Sequence, residues 1–182
     1  MILKPRPAGF SSMRESVKTM KFVNKYYYVI MSVLIVATDQ ITKLMVRQNF
    51  DYLESVPIIS NVFYLTYFRN PGAGMGIPIP RWWLVGLTAL IIAGFIYIIV
   101  KRSLTNVWAK TAIAFMLGGA FGNLIDRVVP PGYVVDFFDF SHIGFPFVFN
   151  IADIFVVVGA VLLIVYTVFL SRDKEKENGT QN

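Results

Sequence analysis

Apolar residues collect in four stretches of about 20 residues each, the length that crosses roughly 30 Å of hydrocarbon. They cover 26–46, 82–100, 111–129 and 149–170. The second carries no charge. The others take polar residues at one end only: Asp39, Gln40 and Lys43 late in the first, Asp126 and Arg127 late in the third, Asp153 early in the fourth. Between the first two, the run Asn61-Val-Phe-Tyr-Leu-Thr-Tyr-Phe68 is aromatic and β-branched, which favours strand over helix. It leads into Asn70-Pro-Gly-Ala-Gly-Met-Gly76, a turn-rich stretch. The pattern predicts a mainly α membrane protein, with four transmembrane helices and a small outer-face β-sheet between helices one and two.

Composition agrees. Of 182 residues, 55% are hydrophobic and 15% charged, against about 25% charged in soluble domains, and the mean hydropathy is +0.59. There is no cysteine, which excludes disulfides, thiolate metal sites and cysteine nucleophiles; His142 is the one histidine, which excludes a multi-histidine metal centre. The net charge of +6 reads as topology, not as nucleic-acid binding. Twelve of the 17 Lys and Arg lie in residues 1–25, in the loop between spans two and three, or after 170. The positive-inside rule then puts both termini in the cytoplasm. The expected organisation is a basic cytoplasmic tail (1–25), a four-helix transmembrane domain (26–170) with outer loops 47–81 and 130–148, and a polar cytoplasmic tail (171–182).

With this topology the intramembrane polar residues share one depth. Asp39 and Lys43, Asn123 with Asp126 and Arg127, and Asn150 with Asp153 all fall at outer helix ends, each set at helical spacing on one face. Gly118 and Gly122 form a small-xxx-small step that admits a close neighbour. Asp39 with Lys43 reads either as an intrahelical pair or as part of a site. Asp126 reads as the structural partner of Arg127, and Asn123 and Asn150 as interhelical hydrogen-bond partners. His142 and Asp139 read as loop residues. Asp153 stands in an apolar helix with no base nearby in sequence, and Asp136 lies in Tyr133-Val-Val-Asp-Phe-Phe138, where apolar neighbours raise a carboxyl pKa. Two poorly solvated carboxylates suit hydrolysis by a pair that shares one proton. Intramembrane acids also serve proton-coupled carriers, so composition and spacing leave both open.

Five motifs occur in order: Asp39-Gln-Ile-Thr-Lys43, Asn70-Pro-Gly-Ala-Gly-Met-Gly76, Gly118-Gly-Ala-Phe-Gly-Asn-Leu-Ile-Asp-Arg127, Val134-Val-Asp-Phe137 and Phe149-Asn-Ile-Ala-Asp153. Together they resemble lipoprotein signal peptidase (signal peptidase II), a family of bacterial aspartyl endopeptidases. The resemblance covers about residues 30–170. It implies a multi-pass enzyme of the bacterial cytoplasmic membrane, acting near the outer face. It further implies removal of the signal peptide of diacylglyceryl-modified prolipoproteins, with cutting on the amino side of the lipidated cysteine. It implies Asp136 and Asp153 as the catalytic aspartates. Asp39, Lys43, Asn70, Gly72, Asn123, Asp126, Arg127, Asn150 and Ala152 would bind substrate or support the site. No metal or cofactor is expected. Expected partners are prolipoprotein, membrane lipid and globomycin-type inhibitors, with no nucleic acid, and the chain is expected to be a monomer. Gly74 and Met75 depart from the family's usual Ala and Phe, and the basic N-terminal extension is longer than usual. The proton-coupled carrier is the alternative.

Overall fold

The computed structural model describes residues 9–72, 79–101 and 106–170, with side chains from 26 to 169. Gly74, Met75 and the polar C-terminal tail lie outside the described residues. Four long helices and four short strands follow in the order α1 (Gly9–Asn49), β1 (Ser55–Ile59), β2 (Phe63–Asn70), α2 (Arg81–Lys101), α3 (Val107–Val128), β3 (Val134–Asp139), β4 (Val148–Phe149) and α4 (Ile151–Val165). A π-helical turn, Tyr166–Leu170, extends α4. Among the described residues, three stretches are long and apolar enough to cross a membrane: Tyr26–Asn49, Arg81–Lys101 and Ile151–Phe169. The helix α3 spans 22 residues but carries Lys110, Asn123, Asp126 and Arg127, and it is not among the three. The helical backbone of α1 begins at Gly9, so most of the basic N-terminal stretch is helical and continuous with the first span.

The helix α3 sits at the centre, against α1, α2 and α4. Small residues allow this. A methyl group at Gly118 would lie 2.7 Å from Ile35 Cβ on α1, and one at Gly119 would lie 2.3 Å from the Ala152 carbonyl oxygen on α4. Gly122 faces both, 2.6 Å from Asp39 Oδ2 and 3.2 Å from Ala152 Cβ by the same measure. Gly159 of α4 returns the fit against Ala112 and Met116. With lipid outside, helix association rests on such close packing and on interhelical hydrogen bonds. Two of the latter tie α1 to α3: Ser32 Oγ donates to the Ala114 carbonyl at 3.0 Å, and the Tyr27 and Thr111 hydroxyls meet at 2.9 Å. The remaining apolar contact of α3 is with α2, through Ile92, Ile113 and Leu117.

The sheet is antiparallel throughout, in the order β1-β2-β3-β4. It departs from expectation in one respect. Of the strands among the described residues, β1 and β2 lie between α1 and α2, whereas β3 and β4 come from the connection between α3 and α4, for which the sequence pattern predicts a loop. Arg69 pairs with Val135 and Asn70 with Val134, after a register shift between Leu65 and Phe68. Side chains alternate along β3. Val135 and Phe137 join Val46 and Tyr67 in a buried cluster that seats the sheet on the end of α1. Asp136, between them, therefore faces the opposite way.

Candidate functional site

That opposite face of β3 looks onto a cavity of about 490 Å³. Its polar wall is Asn70, Asn123, Arg127, Asp136 and Asp153; the rest is apolar, including Phe145, Phe147, Ile154 and Val157. Asp136 is 1% exposed. Its Oδ2 accepts from Asn70 Nδ2 at 2.9 Å and its Oδ1 from Asn150 Nδ2 at 2.6 Å. Burial, and then the charge of Asp153, push the Asp136 carboxyl up to about 7, against the pull of those two amide donors. It is thus neutral for much of the time at neutral pH.

Asp153 is held by the start of α4. Asn150 is the N-cap: its Oδ1 accepts from the Asp153 N–H at 3.0 Å, while Asp153 Oδ2 accepts from the Asn150 N–H at 3.2 Å. This is a capping box with Asp in the third helical position. The other carboxylate oxygen of Asp153 accepts from Asn123 Nδ2 at 2.7 Å. Asn150 Nδ2 also donates to Asn123 Oδ1 at 3.1 Å, so two amides link the two acids. Asn150 and Asp153 were expected to share a helix face. Asn150 instead lies just outside the helix, and its spacing from Asp153 is that of a cap.

Behind the acids lies an ion cluster. Lys43 Nζ is 2.8 Å from Asp39 Oδ2, the expected intrahelical pair, and 2.8 Å from Asp126 Oδ2. It also donates to Asn123 Oδ1 at 3.0 Å. Asp39 Oδ1 accepts from the Ala152 N–H at 2.9 Å, tying α1 to the first turn of α4. Asp126 takes Arg47 as a second partner at 3.1 Å. The expected Asp126–Arg127 pair is therefore replaced by partners on α1. Adjacent helical residues point about 100° apart and do not face each other. Arg127 donates instead to the carbonyls of Gly72, at 3.2 Å, and Asn123, at 3.3 Å. Its Nε is buried with no hydrogen-bond partner among the described residues. Gly72 is fixed in turn by donating from its N–H to Asn70 Oδ1 at 3.0 Å.

All eleven residues singled out from the sequence fall in or against this assembly. Two that were not singled out join it: Arg47, and Gln40, which donates to the Gly122 carbonyl at 3.1 Å. Both lie on the α1 face of Lys43, at helical spacing from it, and that spacing was the available signal. Asp139, expected as a solvated loop charge, is 7% exposed in β3. It accepts from Thr66 Oγ1 at 2.8 Å and from the Ser141 N–H at 2.9 Å. Those bonds outweigh burial and hold its carboxyl below the ordinary range. His142 stacks on Tyr64, outside the cavity, at 4.0 Å between ring centroids.

Fold and site define a multi-pass membrane protein with two amide-linked carboxyl groups at the wall of an apolar cavity. The family described as signal peptidase (SPase) II matches over residues 31–169. The chain is 40% identical over 142 residues to a lipoprotein signal peptidase of Clostridioides difficile (strain 630), covering 78% of this chain and 95% of that protein. It is 40% identical over 153 residues to one of Bacillus subtilis (strain 168), covering 83% and 98%. A bacterial membrane enzyme determined by the in meso method at 2.3 Å is similar in structure, with a TM-score of 0.73 and 32% identity over 82% of this chain and 90% of that one. The chain belongs to the signal peptidase II family and is an aspartic peptidase.

Proposed function

We propose that the chain removes the signal peptide of diacylglyceryl-modified prolipoproteins, cutting on the amino side of the lipidated cysteine, with Asp136 and Asp153 as the catalytic pair. The observation that carries this reading is that the two acids share one cavity wall, each held by amide donors and neither ion-paired within 4 Å among the described residues. Family membership favours it over the proton-coupled carrier. Asp136, the more buried, holds the shared proton. Asp153 takes a proton from water as the water oxygen bonds to the scissile carbonyl carbon, and Asp136 gives its proton to the carbonyl oxygen. The tetrahedral intermediate then collapses: the C–N bond breaks as the cysteine nitrogen takes the proton held by Asp153, and a hydroxyl of the intermediate returns a proton to Asp136 as the new carbonyl forms. The apolar cavity wall of Phe145, Phe147, Ile154 and Val157 suits lipid and signal-peptide side chains.

The same reading takes α3 as a fourth span. It puts both termini in the cytoplasm and the sheet on the outer face of the cytoplasmic membrane. The tails are 1–25 and 171–182 around one peptidase unit, 26–170. The chain acts as a monomer and its cavity is open to globomycin-type inhibitors. Purified protein incubated with a diacylglyceryl prolipoprotein should release a product whose mass marks cleavage before the modified cysteine. Asp136→Asn and Asp153→Asn should each lower turnover by about 10²–10⁴-fold while the protein stays folded. A folded variant of either acid with near-parental turnover would sink the assignment.

A further inference from the structure

We propose that Lys43 is a positioning residue for the pair, acting on Asp153 through the side-chain amide of Asn123. The inference rests on the dyad reading above. Lys43 is fully buried, and its ammonium reaches three oxygens: Asp39 Oδ2, Asp126 Oδ2 and Asn123 Oδ1. An ammonium has donors and no acceptor. It admits only the oxygen end of the Asn123 amide, so the nitrogen end must face the other way. There it lies 2.7 Å from Asp153 Oδ1. Asn150 Nδ2, 3.1 Å from the same Asn123 oxygen, imposes the same sense. A flipped Asn123 would set nitrogen against the ammonium and against the Asn150 amide, and oxygen against the Asp153 carboxylate. Every one of the three contacts would turn repulsive.

The polarity then passes on. With Asn123 fixed as acceptor toward Asn150, the Asn150 nitrogen is directed to Asn123 and Asp136 together, and its oxygen to the Asp153 N–H. The ammonium thus sets the sense of Asn123, in register with the sense that the Asp153 N–H sets for Asn150, and both acids meet donors. Lys43 does this without an ion pair to either acid, because its own ion pairs are with Asp39 and Asp126. Two acids and two bases (Asp39, Asp126, Lys43, Arg47) balance within the cluster. What reaches Asp153 from Lys43 is hydrogen-bond direction; at Asp136 the Lys43 charge also pulls the carboxyl down, less than the two amide donors do.

Two charge-matched variants test this in the purified enzyme in detergent, with a lipidated prolipoprotein as substrate. Lys43→Gln with Asp126→Asn, and Lys43→Met with Asp126→Asn, each remove one cation and one anion. Only glutamine keeps an N–H donor for Asn123 Oδ1. The methionine variant should lose about ten- to hundred-fold in kcat, the size expected for one hydrogen bond to a charged group, with KM within about twofold. The glutamine variant should recover most of that loss, and the two should melt at similar temperatures. Equal kcat values for the two, or a loss that falls on KM, overturn the proposal. Should neither fold, Asn123→Ala carries the test, since it leaves all three ion pairs in place. It should show the same kcat loss at parental KM, and a parental kcat overturns the relay. Failure of the dyad reading is separate: Asp153→Asn would then retain turnover. If Asp153→Asn is dead while the two double variants match, only the relay has failed.

Discussion

Gly119→Ala asks how much of the site's geometry rests on one helix contact. The added methyl would sit 2.3 Å from the Ala152 carbonyl oxygen and 2.7 Å from Val156 Cγ2, where ordinary contact begins near 3.4 Å. The first neighbour is backbone and has no rotamer to escape into. The helices α3 and α4 must therefore part by about 1 Å at this point, the kind of shift that overpacking forces on a close-packed contact. The site lies one turn further on. Asn123 is four residues after Gly119, and Asp153 follows Ala152. The Asn123–Asp153 hydrogen bond, 2.7 Å at present, would stretch to about 3.7 Å, which is no hydrogen bond. The Asp39–Ala152 bond would stretch with it.

Stability should move much less than activity. Overpacking costs about 1–3 kcal/mol, and replacing a helical glycine by alanine returns about 1 kcal/mol, so the net loss is about 0–2 kcal/mol. A 1 Å displacement of reacting groups, by contrast, costs on the order of 10²-fold in rate. Cleavage of a lipidated prolipoprotein, followed by product mass, and thermal melting in detergent give the two readings. Gly94→Ala on α2 is the control, because a methyl there meets nothing within 4 Å. It should keep parental turnover and melt no lower. A Gly119→Ala enzyme with parental kcat would refute the claim that this contact sets the Asn123–Asp153 distance.

The pH–rate profile should be bell-shaped and lose activity on its basic side near pH 7, where Asp136 gives up its proton. The folded chain keeps that proton where the unfolded chain, at the ordinary 3.8, has released it, so this group's stability contribution is full below about 4 and declines toward 7; the melting temperature of the parent relative to Asp136→Asn should fall across that window, and a flat difference refutes the shift. Asp126→Asn removes one of the two carboxylates on Lys43, whose side chain is 1% exposed, and leaves the cluster one cation in excess; with Asp39 still paired to Lys43, it should cost less than the roughly 3–5 kcal/mol of a fully unpaired buried charge in melting experiments. Arg47→Ala, at a side chain 34% exposed, should cost much less, and the reverse order would show that Arg47 is the partner that matters. Chelator treatment should leave cleavage unchanged, and activity restored by one added divalent ion would count against a metal-free dyad. Single cysteines at Asp51 and Ser103 should react with an impermeant thiol reagent in intact cells only at 51; labelling at 103 would invert the topology.

The helices were legible because charge brackets them. The apolar run 82–100 became Arg81–Lys101, with the flanking bases as its ends. The strand propensity of 61–68 became β2, shifted by two residues to Phe63–Asn70. The strand β3 was not legible because its partner is about 70 residues away, across two helices, and because Pro and Gly before it suggest a loop. Its Val-Val-x-Phe-Phe run was the available signal. Asp126 misled for a different reason. Adjacency in sequence suggested Arg127, whereas helix geometry turns neighbours apart and sent Asp126 to α1. Asn150 could have been read as a cap, since Asn followed three residues later by an acid is the start signal of a helix.

The division of labour among the charged groups explains why so many polar residues converge on one depth. Ionised groups in a poorly solvated interior are costly unless paired, and Asp39, Asp126, Lys43 and Arg47 meet that demand among themselves. On the proposed dyad reading Asp136 and Asp153 do not meet it in the same way, because a cation bonded to either would fix it as a carboxylate and leave no shared proton. Amides solve the problem: Asn70, Asn123 and Asn150 orient each oxygen without a full charge. An amide has two ends, however, and alone it does not choose between them. Backbone N–H groups choose for Asn70 and Asn150, and on the proposed relay the buried Lys43 chooses for Asn123. On this argument the ion cluster and the acids form one device, in which the cluster supplies direction and the acids keep their freedom to exchange a proton.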